Sequence, residues 1–111
     1  MANVYNNIQA VITSSASDDD MYTSPDATTS IVKSVKLYNT HSSNLAVDIT
    51  VYDLSDTTDY EYDSVTVNTD NSVDLLTFNN VLILEAGDIL KMQTPTGAKI
   101  KMTASVLQIS R

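Results

Sequence analysis

The sequence predicts an all-β domain: a two-sheet antiparallel β-sandwich, Ig-like or jelly-roll, of roughly seven to nine short strands. Three observations lead there. Apolar and polar residues alternate with period two in one segment after another. Ser, Thr, Val and Ile abound, and nearly all the acids are Asp, a poor helix former. Short polar stretches with turn chemistry separate the alternating segments.

Residues 5–12 form the first expected strand, with Ile8, Ala10 and Ile12 on one face. Residues 14–20 are small and acidic and read as a loop. Residues 20–23 make a short strand that Pro25 ends. In residues 29–39, Ile31, Val35 and Leu37 share a face while Lys33 interrupts it. A polar turn region follows at residues 39–44. Leu45, Val47, Ile49 and Val51 then alternate with Ala46, Asp48, Thr50 and Tyr52, the pattern of a sheet with one wet face.

After a turn at residues 54–58, residues 60–67 read as a strand whose parity slips. Tyr60 and Tyr62 fall on one face and Val65 and Val67 on the other, so a β-bulge is expected near Asp63 and Ser64. Residues 73–77 form a short strand, and Asn79-Asn80 a turn. Val81, Leu82, Ile83 and Leu84 form a continuous apolar run, which is either buried on both faces or covered by something else. Residues 85–88 make a tight turn in which Gly87 takes a positive φ. Residues 89–94 form a strand, and residues 95–97 a turn. The last strand, residues 98–109, turns Ile100, Met102, Ala104 and Val106 one way and Leu107 and Ile109 the other. The chain reads as a single domain over residues 1–111, with residues 1–20 as an N-terminal strand or extended arm and loop.

The 111 residues are enough for one core, and 42% hydrophobic against 18% charged residues argues against disorder. There is no cysteine, so disulfides and thiolate–metal sites are excluded. No apolar run could span a bilayer as a helix, and residues 1–17 lack the basic and apolar regions of a signal peptide. Folding in a cytoplasm without Sec-type export is the expectation. The formal net charge of -8, with six Lys and Arg in all, disfavours nucleic acid and anionic membranes as partners. Residues 48–74 hold Asp48, Asp53, Asp56, Asp59, Glu61, Asp63, Asp70 and Asp74 and no basic residue. Clustered in space they would make one acidic surface, serving either solubility or steering toward a basic protein partner.

Catalytic chemistry is mostly excluded by what is absent. A Ser or Cys nucleophile needs a His base, and the only histidine, His41, sits in a polar turn. Zinc needs about three His or carboxylate ligands, and one His without Cys does not build the usual site. Two glycines cannot make a phosphate-binding loop. Asp18, Asp19 and Asp20, or Asp53, Asp56 and Asp59, could bind calcium through oxygen ligands or simply form solvated acidic loops. A glycosidase carboxylate pair is disfavoured by the absence of tryptophan platforms. Tyr38, Tyr52, Tyr60 and Tyr62 lie on expected strands, as sheet-face packing or as a partner-binding patch. No enzyme is expected: no catalytic, cofactor-binding or metal-binding residue is assigned.

Two segments carry a resemblance. Met21-Tyr22-Thr23-Ser24-Pro25 through Thr29-Ser30-Ile31-Val32-Lys33-Ser34-Val35 resembles a "YTaP…tTsIVksI" opening, followed by a strand ending in Asn39-Thr40. Val81-Leu82-Ile83-Leu84-Glu85-Ala86-Gly87-Asp88-Ile89-Leu90-Lys91 resembles "pivLeaGDsIkv", and Ala104-Ser105-Val106-Leu107-Gln108-Ile109 closes the same pattern. Over residues 21–109 the chain is similar to small single-domain β-sandwich virion structural proteins of tailed bacteriophages, marine ones included. The resemblance implies a particle component without catalysis. The first reading is a capsid decoration (cement) protein that binds and stabilises the major capsid protein lattice. The alternative is a tail, collar or fibre-attachment subunit, and a carbohydrate- or calcium-binding β-sandwich module is more remote. The implied location is the virion, after synthesis and assembly in the host cytoplasm. A homo-oligomer is expected, because residues 81–84 with Leu107 and Ile109 leave apolar surface for another chain to cover; the resemblance favours a trimer.

Overall fold

The computed structural model describes residues 2–13, 18–77, 79–97 and 99–110. These described residues form nine strands: β1 (Ala2–Val11), β2 (Asp19–Thr23), β3 (Thr28–Asn39), β4 (Leu45–Asp53), β5 (Thr58–Val67), β6 (Ser72–Leu76), β7 (Leu82–Leu84), β8 (Ile89–Gln93) and β9 (Ile100–Ser110). No helix occurs among the described residues. One sheet has the order β1-β9-β3-β6, with β7 on the same side of β3 as β6 but nearer its start. The other has the order β2-β8-β4-β5, and every pairing is antiparallel.

The pairs are nested: β1 with β9, β2 with β8, β3 with β6 and β7, and β4 with β5. They form one long hairpin rolled so that successive pairs fall in alternate sheets. This is jelly-roll connectivity, which decides between the two topologies the sequence leaves open. Of the expected loop over residues 14–20, residues 14–17 lie outside the described residues, and Asp19 and Asp20 belong to β2. The expected start of the last strand at Ala98 also lies outside them.

The inner faces meet in one core. The first sheet supplies Val32, Val35, Leu37, Leu76, Leu84, Ile100, Met102, Ala104 and Val106, and the second supplies Met21, Leu45, Val47, Ile49, Val67, Leu90 and Met92. Burial of side chains of this size contributes about 1.5–3 kcal/mol each for the larger ones, an upper estimate because real unfolded chains are partly compact. The alternation in β4 and β9 is therefore the physical cause of the two-layer arrangement.

One parity reading requires correction, in β3, while the bulge expected near Asp63 and Ser64 of β5 is present. Between Val32 and Ser34 the β3–β9 register shifts, which leaves Lys33 without an opposite residue. This bulge reverses the faces of β3. Ser30 and Val32 are buried before it, and Val35 and Leu37 after it. Ile31 therefore points away from the core rather than sharing a face with Val35 and Leu37. In β5, Ile49 opposes Asp63 while Thr50 opposes Glu61, so the extra residue is Tyr62, just before the expected Asp63–Ser64 position.

Buried polar groups join the layers. Asn39 of β3 is fully buried; its Nδ2 donates to Val67 O of β5 at 2.8 Å and to Ser43 O at 3.0 Å, and its Oδ1 accepts from His41 N at 2.7 Å. Asp88, only 8% exposed, accepts from Leu54 N at 3.1 Å and from Glu85 N at 3.0 Å, tying the β4–β5 turn to the β7–β8 turn. At one end of the sandwich a side-chain relay crosses between sheets. Asn6 donates to Gln108 (2.6 Å), Gln108 donates to the Tyr22 hydroxyl (2.6 Å), and that hydroxyl meets Ser30 Oγ (2.8 Å), which meets Ser24 Oγ (2.8 Å). Among the described residues no buried side-chain nitrogen or oxygen lacks a partner.

Candidate interaction surfaces

The two outer faces differ in chemistry. On the β1-β9-β3 sheet, the registers Tyr5↔Leu107, Leu107↔Ile31 and Ile31↔Ile83 set four apolar residues side by side on four successive strands. The Lys33 bulge creates this row, because without it Ile31 would face inward. The ends of the row are the most open: Tyr5 is 72% and Ile83 60% exposed, while Ile31 and Leu107 between them are half-buried. Ile109 lies on the same face one register step away, and Lys33 Nζ sits 5.8 Å from the centroid of the Tyr5 ring. Lys36 and Lys101 lie elsewhere on this face, with Lys36 Nζ 3.7 Å from Asp74.

The opposite face and its β5 edge are acidic. Of the eight acids between residues 48 and 74, Asp48, Asp53, Asp56, Asp59, Glu61 and Asp63 sit on β4, β5 or the turn joining them; Asp70 and Asp74 do not. An open depression of about 530 Å³ is lined by Asp18, Asp48, Glu61 and Asp63 together with Tyr62 and Gln93. Lys91, on β8, is a basic residue on this face: its ammonium lies 3.2 Å from Asp59 and 5.0 Å from the centroid of the Tyr52 ring.

Four of the six candidate calcium carboxylates are engaged locally. Asp19 accepts from the backbone N–H and hydroxyl of Thr13, Asp53 from Ser55, Asp56 from the Tyr60 hydroxyl at 2.8 Å, and Asp59 pairs with Lys91. No group of three or more His or carboxylate side chains is placed to hold a metal among the described residues. His41 Nδ1 accepts from Ser43 N at 3.1 Å and lies 2.9 Å from Ser43 Oγ, so the ring braces its own turn.

The tyrosines do not form one patch. Tyr5 and Tyr38 lie on the first sheet, Tyr22 is in the buried relay, Tyr52 stacks under Lys91, and Tyr60 and Tyr62 are on the acidic edge. The Tyr60 phenol is held above its ordinary pKa by its hydrogen bond to Asp56 and by that carboxylate's charge. Tyr62 is raised by partial burial and then by the charge of Asp63.

No family model and no curated protein matches the chain. A solved structure is similar to it: a protein of Bacillus endospore appendages, described as a novel family of disulfide-linked pili. The TM-score is 0.59 at 13% identity, over 97% of this chain and 88% of that one. The likeness is one of fold.

Proposed function

We propose that this chain is a non-catalytic structural subunit of a tailed-phage virion, a decoration protein that binds the major capsid protein through the outer face of the β1-β9-β3 sheet. The observation that carries the reading is the apolar row Ile83–Ile31–Leu107–Tyr5, laid across four strands on a face that otherwise meets water. An ordered apolar row of this kind, rimmed by polar groups and lysines, is what an assembly contact needs at its centre. The resemblance of residues 21–109 to virion structural proteins supplies the kind of assembly.

A tail, collar or fibre-attachment subunit would use the same face, so the row does not separate it from a head location. A filament subunit is a further reading, drawn from the pilus protein of similar fold. Any such filament would differ from a disulfide-linked pilus, because this chain has no cysteine.

The test is to purify particles, identify the protein in them by mass spectrometry, and locate it by labelling and imaging. Presence on the head supports decoration, presence on the tail or collar supports the alternative, and absence from purified particles overturns both.

A further inference from the structure

We infer that β1 is an open sheet edge that takes the β1 strand of a second copy of this chain, antiparallel, across a two-fold axis at Asn7. This edge borders the apolar row and shares Tyr5 with it, through the Tyr5 backbone at the edge and the Tyr5 side chain on the face, and the pairing does not depend on where the protein is installed. A sheet edge presents unpaired N–H and C=O groups, and natural proteins guard such edges with charge, bulges or brevity. Three of the four edges here are guarded. β5 carries Asp59, Glu61 and Asp63 and the Tyr62 bulge. β2 is five residues long, begins with Asp19 and Asp20, and has a register shift at Met21. The β6 and β7 edge is split into strands of five and three residues.

β1 has none of these devices. It spans ten residues, pairs with β9 in unbroken register from Ala2↔Ser110 to Val11↔Lys101, and contains no charged residue, proline or glycine. Among the described residues no strand lies on its other side. The direction of its free groups follows from one bond. Ile12 N donates to Ile100 O at 3.0 Å, which makes the even-numbered positions the ones bonded to β9. Asn3, Tyr5, Asn7, Gln9 and Val11 therefore point their N–H and C=O groups outward.

The occupant follows from charge and register. Two copies at -8 each repel wherever their acids meet, and β1 is the long edge where no acid stands. An antiparallel pair centred on Asn7 matches Tyr5 with Gln9 of the second copy and Asn3 with Val11, so all the outward residues are used on both sides. It also keeps parity: odd-numbered side chains of both copies fall on one face. The two apolar rows then lie on the same side of one continuous sheet, which gives a dimer two docking rows toward a common partner surface.

The test compares the full-length protein with Asn7→Pro and Asn7→Asp. Proline at Asn7 removes an outward N–H and leaves the bonds to β9 in place, and aspartate sets two like charges at the axis. Sedimentation of the unaltered chain at tens of micromolar should show a dimer, with the Tyr5, Asn7 and Gln9 amides protected from hydrogen exchange. Each variant should dissociate about tenfold more readily or worse. Circular dichroism and the exchange of β9 amides check that the variants fold. A monomer at these concentrations, an oligomer that both folded variants leave intact, or a dimer whose Tyr5, Asn7 and Gln9 amides exchange freely would each overturn the inference. The unaltered chain carries the exchange readout by itself should a variant fail to fold.

Discussion

Gly87 lies beneath Leu54: a Cβ built at position 87 would fall 2.3 Å from Leu54 Cδ2, and Gly87 has φ +85°. The contact sits where the Asp88 carboxylate binds Leu54 N, so one short turn fixes the spacing between the β7–β8 and β4–β5 connections. Gly87 occupies the third position of a turn closed by Asp88 N→Glu85 O at 3.0 Å, the position of a type II turn that requires positive φ.

Gly87→Ala should therefore destabilise the fold by about 1–2 kcal/mol, mainly through the left-handed backbone. Leu54 is 48% exposed and can swing aside. Chemical denaturation of Gly87→Ala alone and with Leu54→Ala checks this division. The second change should recover only a minor part of the loss.

Asn39 gives a larger effect. Asn39→Ala strands Val67 O in a region that water does not reach freely, and removes the bonds to Ser43 O and the His41 N–H, which lie nearer to solvent. The expected loss is about 2–4 kcal/mol, read as a lower denaturation midpoint at unchanged slope.

High pH should weaken the fold from the acidic edge. Tyr60 and Tyr62 have folded pKa values above the ordinary phenol value, raised chiefly by the bond to Asp56 and by partial burial respectively. A raised folded pKa means that the stabilisation is complete below the unfolded value, near pH 10, and is lost as pH climbs through the folded values. Phenolate absorbance in a spectrophotometric titration should show late-titrating tyrosines. Asp56→Asn should bring Tyr60 back toward its ordinary value and leave Tyr62 raised. A titration unchanged by Asp56→Asn would contradict the assigned cause.

The fold class was legible because β4 and β9 alternate cleanly, and burial enforces that alternation in a two-layer structure. Jelly-roll order was not legible, since strand pairing between residues distant in sequence leaves no local pattern. Lys33 shows where local reading fails. It was visible as an interruption, but an interruption can be tolerated or can become a bulge, and only the β9 register decides. That choice turned Ile31 outward and completed the apolar row. Ile83 and Leu107 had better signals: the run of residues 81–84 and the outward parity of Leu107 and Ile109 both marked surplus apolar surface. The structure resolves that run residue by residue, with Leu84 buried, Leu82 half-buried against the core and Ile83 exposed. Asp88 read only as a turn residue, since its partner Leu54 is 34 positions away.

Docking through the Ile83–Ile31–Leu107–Tyr5 row can be measured by stripping the protein from particles and re-adding it. The unaltered protein, Ile83→Asp, and the triple change Asp56→Asn, Asp59→Asn and Asp63→Asn would be compared across a salt series. Ile83 is exposed, so its substitution should leave folding stability within about 0.5 kcal/mol. Docking through the row predicts that Ile83→Asp reattaches at least about tenfold more weakly. It also predicts that the triple change attaches normally and that raising salt to about 1 M, where screening shortens to about 3 Å, leaves attachment intact. Normal reattachment of Ile83→Asp, with attachment lost at high salt or in the triple change, would contradict it and move the contact to the acidic face.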